Sequence, residues 1–104
     1  MKWYHALAHF FGGAFLMNAV PHLVNGVSGR SFPSPFASPP GQGLSPAWVN
    51  VLWGLLNLVI GYLLVCRVGT FSLRKTRDVS IAGVGALLMA VMLAESFSRV
   101  PAVR

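Results

Sequence analysis

Three apolar stretches, each long enough to cross a bilayer, take up most of this 104-residue chain and decide the solvent in which it folds. They run from about Trp3 to Asn25, Pro46 to Cys66 and Val79 to Ser98. A helix rises about 1.5 Å per residue, so roughly 20 apolar residues cover the roughly 30 Å hydrocarbon core. Backbone polar groups inside that core must be satisfied within the protein, and spans of this length do so as helices. The expected fold is therefore an all-α membrane protein with one membrane domain. Helix 1 occupies about 3–25, a Pro-rich outer loop 26–45, helix 2 about 46–66, a basic cytoplasmic loop 67–78, helix 3 about 79–98 and an outer tail 99–104.

Charge agrees with this solvent. Charged residues are 10% of the chain, against about a quarter in soluble domains. The net charge of +6 comes from Lys2, Arg30, Arg67, Arg74, Lys75, Arg77, Arg99 and Arg104, all beyond or at the ends of the apolar stretches. Basic flanks of this kind orient helices and meet lipid headgroups, so the bilayer is the expected partner and nucleic acid is not. The 67–78 connection carries Arg67, Arg74, Lys75 and Arg77, whereas 26–45 carries only Arg30. The excess of basic residues places the N-terminus and the second connection in the cytoplasm and the C-terminus outside. The first stretch is too long for a signal-peptide core and lacks a small-residue cleavage site, so it is expected to be retained. Cys66 is the single cysteine, which leaves no intrachain disulfide and reads as a small apolar residue.

Local signals mark the ends and faces of the spans. Pro21 in the first stretch deprives the Met17 carbonyl of its helical donor and predicts a kink. Ser45-Pro46 has a good N-cap followed by a good first helical residue, and Asp78 is a candidate cap for the third helix. Pro33, Pro35, Pro39 and Pro40 exclude helix from the first connection, which is read as an ordered cap with Phe32 and Phe36 at the membrane interface. The third span carries Ala82, Ala86, Ala90, Ala94 and Ser98 at a spacing of four; Gly54 and Gly61 share a face of the second. Small residues repeated on one face let helix backbones approach closely, so both sets are expected to form helix-packing interfaces.

Polar residues within a span are costly and are the first candidates for a site. By depth, His22, Asn25, Asn50 and Glu95 fall within roughly 10 Å of the outer boundary and come from all three spans; His22, Glu95 and Asn50, joined by Asn18, are the candidate site. They form a candidate ligand or proton-exchange cluster, with His22 and Glu95 as the pair and the asparagines orienting them. The plainer reading sets Glu95 against Arg99 one turn on, and the asparagines as bonds between helices. His5 and His9 share a face at the inner end, but no further metal ligands lie at that depth, so no metal site is expected. All three histidines occupy one helix, with His5 and His22 about 25 Å apart along it, so haem would need a second chain and no cofactor is expected. The only carboxylates, Asp78 and Glu95, fall on opposite membrane faces and cannot act as a catalytic pair.

The run PHLVNGVSGRSFPSPFASPPG from Pro21 to Gly41, with NVLWGLLN from Asn50 to Asn57, resembles small hypothetical bacterial inner-membrane proteins over the first half of the chain. The resemblance implies a bacterial inner membrane and no activity. With no nucleophile–base pair, phosphate loop or metal motif, the leading expectation is a non-enzymatic accessory subunit or assembly factor docked on a larger membrane complex. The alternatives are a homo-oligomeric transporter or ligand-binding unit working through the outer polar cluster, and a redox module holding haem or quinone between chains.

Overall fold

The computed structural model describes residues 1–101 and 103. Three α-helices account for most of them: α1 (Trp3–Val27), α2 (Ala47–Cys66) and α3 (Thr76–Ser98), each long and apolar enough to cross a membrane. No strand is present among the described residues; an isolated antiparallel bridge joins Phe32 to Ser45. α1 stays helical through Pro21.

Two helix starts differ from the expected ones. Pro46 is extended (φ −57°, ψ 157°) and caps α2, which begins at Ala47. The cause lies just upstream, where Ser45 exchanges backbone hydrogen bonds with Phe32 and is held in an extended conformation. α3 begins at Thr76, three residues before its expected start, with Lys75 as its cap. Asp78 therefore sits inside the first turn, where its Oδ2 accepts the Ser72 N–H at 3.0 Å and ties the α2–α3 connection to the helix.

α1 is the centre of the bundle. α2 packs on one side of it and α3 on another, and the two outer helices scarcely touch each other. Both interfaces depend on absent side chains. A Cβ at Gly54 would stand 2.7 Å from Leu23 Cγ, and one at Gly61 2.6 Å from Leu16 Cγ. On the other side a Cβ at Gly13 would collide with the Ala82 carbonyl, and one at Gly85 with the Phe10 carbonyl. Without a hydrophobic drive between helices in lipid, such close backbone approach supplies the van der Waals attraction.

The alanine stripe of α3 meets α1 along only part of its length. Ala82, Ala86 and Ala90 are half-buried, while Ala94 and Ser98 are exposed. Steps of four residues rotate by about 40° each on a helix of 3.6 residues per turn, so the stripe turns away from α1. The contact instead follows Asp78, Ala82, Gly85, Met89, Leu93 and Phe97, all buried or half-buried.

Candidate functional site

The site lies at the end of the bundle where the α1–α2 connection folds back over the helices. Backbone bonds between Phe32 and Ser45 close this segment into a loop, and the Ser34 and Ser45 hydroxyls meet at 2.6 Å inside it. Phe32, Pro33, Ser34 and Ala37 are buried, so the segment is a packed cap. Phe32 does not reach a membrane interface as expected. Its ring packs inward on Phe97 (4.6 Å between centroids) and on His22 (5.6 Å), while Phe36 stays 66% exposed against Trp53.

Asn50 fastens this cap to the helices. Its amide nitrogen donates to the Phe32 carbonyl at 2.9 Å and lies near the carbonyls of Ser45 and Pro46. A carbonyl only accepts, so the Asn50 Oδ1 faces the other way, toward His22 Nδ1 at 2.7 Å. That contact requires the proton on Nδ1 and leaves Nε2 as a bare acceptor in the neutral ring. Toward the middle of the bundle, two turns along α2 and one along α1, the pattern repeats. Asn57 Nδ2 donates to the Trp53 carbonyl at 2.8 Å, so its Oδ1 takes the Asn18 Nδ2–H at 2.9 Å.

Asn50 and Asn57 are both fully buried and His22 is 3% exposed. A buried unpaired amide would cost about 1–3 kcal/mol, so these paired bonds explain how four polar side chains survive between two apolar helices. The His22 Nε2 makes no hydrogen bond among the described residues and is not fully enclosed. It belongs to the wall of an open crevice of about 360 Å³, lined among others by Asn18, His22, Ser34, Trp53 and Phe97.

Of the four expected site residues, the structure brings Asn18, His22 and Asn50 together and leaves Glu95 apart. Glu95 points away from the crevice and pairs with the Arg99 guanidinium on the exposed side of α3. Phe97, about 200° further round the helix, takes the inward position at that depth. Trp53, Phe97 and the Ser34–Ser45 pair were not anticipated. For Trp53 a signal existed, since Asn50, Trp53 and Asn57 follow a helical spacing that puts them on one face.

At the opposite end, His9 is completely buried, donates from Nε2 to the Val68 carbonyl at 2.7 Å and packs on Phe71. It secures the α2–α3 connection. Among the described residues no group of three or more His, Cys, Asp or Glu side chains is arranged to hold a metal. Comparison with protein-family models, with curated proteins and with solved structures finds no match.

Proposed function

We propose that this protein is a non-catalytic membrane unit that holds a small, largely apolar ligand in the crevice beneath the α1–α2 cap. One observation carries the reading: the crevice is walled by α1, α2, α3 and the cap together, and a histidine nitrogen with no partner among the described residues borders it. Its 360 Å³ lies at the small end of the range for ligand pockets, enough for a single substituted ring. The Trp53 and Phe97 rings supply apolar walls and His22 the polar contact that would orient a ligand. The proposed setting is the inner membrane of a bacterium. The 67–75 connection and the N-terminus face the cytoplasm and the cap the periplasm, because Arg67, Arg74, Lys75 and Arg77 cluster at one end.

Trp53 is a built-in reporter. In a Trp3→Phe, Trp48→Phe protein held in lipid nanodiscs, toluene and p-cresol should each change Trp53 emission saturably. Linear, unsaturable changes equal to those from partition into empty nanodiscs would sink the binding reading.

A second reading, an accessory subunit within a larger assembly, rests on a different observation. Of the two other helices α3 packs on α1 and scarcely on α2, and its outward side presents Gly83, Ala94 and Ser98, with none of the described residues within reach of a Cβ at Gly83. Native mass spectrometry of protein extracted at its natural abundance tests it. A defined larger complex supports it, and a solitary monomer counts against it.

A further inference from the structure

The hydrogen-bond directions around the crevice specify the ligand's polar group. From them we infer that the site takes a neutral ring bearing a hydrogen-bond donor, a phenol-type hydroxyl, and discriminates against the same ring carrying only acceptors. The inference rests on the binding reading above and adds the class of ligand to it.

Two backbone carbonyls fix the directions. The Phe32 carbonyl commits the Asn50 amide nitrogen, which turns the Asn50 oxygen toward His22 and puts the imidazole proton on Nδ1. The Trp53 carbonyl commits the Asn57 amide nitrogen, and the Asn57 oxygen then commits the Asn18 nitrogen as donor. What His22 leaves for a ligand is of one kind: Nε2, a lone pair. Asn18, one turn away on the same helix and also lining the crevice, keeps its Oδ1 and its second N–H, so it accommodates either kind of group. A carbonyl, ether or carboxylate placed at Nε2 would set lone pair against lone pair, whereas a hydroxyl donates to it.

The rest of the wall suits a ring. Trp53 and Phe97 stand edge-on to the His22 imidazole, with centroids at 6.3 and 6.4 Å, and both line the crevice. An aromatic ring between them would have its apolar body against two aromatic side chains and its hydroxyl at Nε2, and such pairs add to plain burial. Among the described residues neither basic nor acidic side chains line the crevice apart from His22 itself, so none of them offsets the charge of an ionised ligand.

The test uses the Trp3→Phe, Trp48→Phe reporter protein and needs no change in the crevice. p-Cresol and 4-methylanisole share the ring and differ in that the ether has no proton to donate. Titrations of Trp53 emission in nanodiscs, each corrected for partition into empty nanodiscs, should show p-cresol binding about tenfold more tightly, the discrimination expected of one well-placed hydrogen bond. His22→Phe should abolish the difference. Should that variant lose its fold, p-toluidine against N,N-dimethyl-p-toluidine is the second probe pair, and the amine that carries protons should bind more tightly. Equal affinity of the two probes in the reporter protein overturns the inference while leaving a binding site in place. Tighter binding of benzoate than of p-cresol also overturns it, because an anion would require a doubly protonated His22. Failure of every ring probe to saturate removes the underlying binding reading instead.

Discussion

His22 Nδ1 and Asn50 Oδ1 lie 2.7 Å apart, across the α1–α2 interface, and the same Asn50 amide reaches the carbonyl of Phe32 in the cap. One side chain thus joins two helices and the segment that connects them. Replacing it exposes how much of the cap depends on that junction. Asn50→Leu leaves the His22 donor unpaired and removes the side-chain donor from the Phe32 carbonyl, which keeps the Ser45 N–H, and should cost about 1–3 kcal/mol of stability. Trypsin should also cut after Arg30, the single basic residue of the connection, faster than in the parent protein. Thermal unfolding in nanodiscs and timed digestion check both, and an unchanged digestion rate would show that the cap is held by its own Ser34–Ser45 closure.

Glu95 and Arg99 form an exposed pair on α3, with side chains 62% and 75% accessible. Exposed pairs of this spacing contribute little, about 0–1 kcal/mol. Glu95→Gln should therefore leave stability and the p-cresol titration unchanged. A loss of ring binding in this variant would return Glu95 to the site from which the geometry separates it.

The glycines of the α1–α3 contact are unequal. Gly85→Ala places a methyl group against the Phe10 carbonyl and should destabilise the protein by about 1–3 kcal/mol. Gly83→Ala, whose Cβ meets nothing, should be neutral or slightly stabilising through better helix propensity. The two melting temperatures, measured side by side, separate interhelix contact from propensity.

Asp78 contributes an acceptor for the Ser72 amide, and its Arg77 neighbour is 3.6 Å away and largely exposed. Asp78→Asn keeps an oxygen for Ser72 and should cost well under half of what Asp78→Leu costs. If the two variants were equally harmful, the charge rather than the hydrogen bond would be what the connection requires. Stability against urea in micelles distinguishes the two.

The three helices were legible because span length and hydropathy are one-dimensional properties. Position along the helices was legible for the same reason, and it put His22 and Asn50 toward one end of the bundle. Direction around the helix axis was not. Glu95 shares that depth, yet it projects from the side of α3 opposite Phe97, and only the register against α1 distinguishes them. The alanine stripe failed in part for a related reason, since a spacing of four is not the helix repeat and drifts around the axis. The spacing of His5 and His9 shows a shared face but not what His9 binds. Its bond to Val68 depends on the path of a connection that no periodicity describes. The inward turn of Phe32 likewise follows from loop closure by Ser45, thirteen residues on, rather than from anything in its own surroundings.

Because α2 and α3 both rest on α1 and scarcely on one another, the bundle has two separate seams rather than one shared core. Substitutions in different seams should then combine additively, as for sites without common partners. A Gly54→Ala, Gly85→Ala double variant should lose the sum of the single losses, apart from their common dependence on α1. Damage to the α3 seam would loosen that helix while the capped α1–α2 hairpin keeps its shape, so the molecule can yield at one flank without surrendering the other.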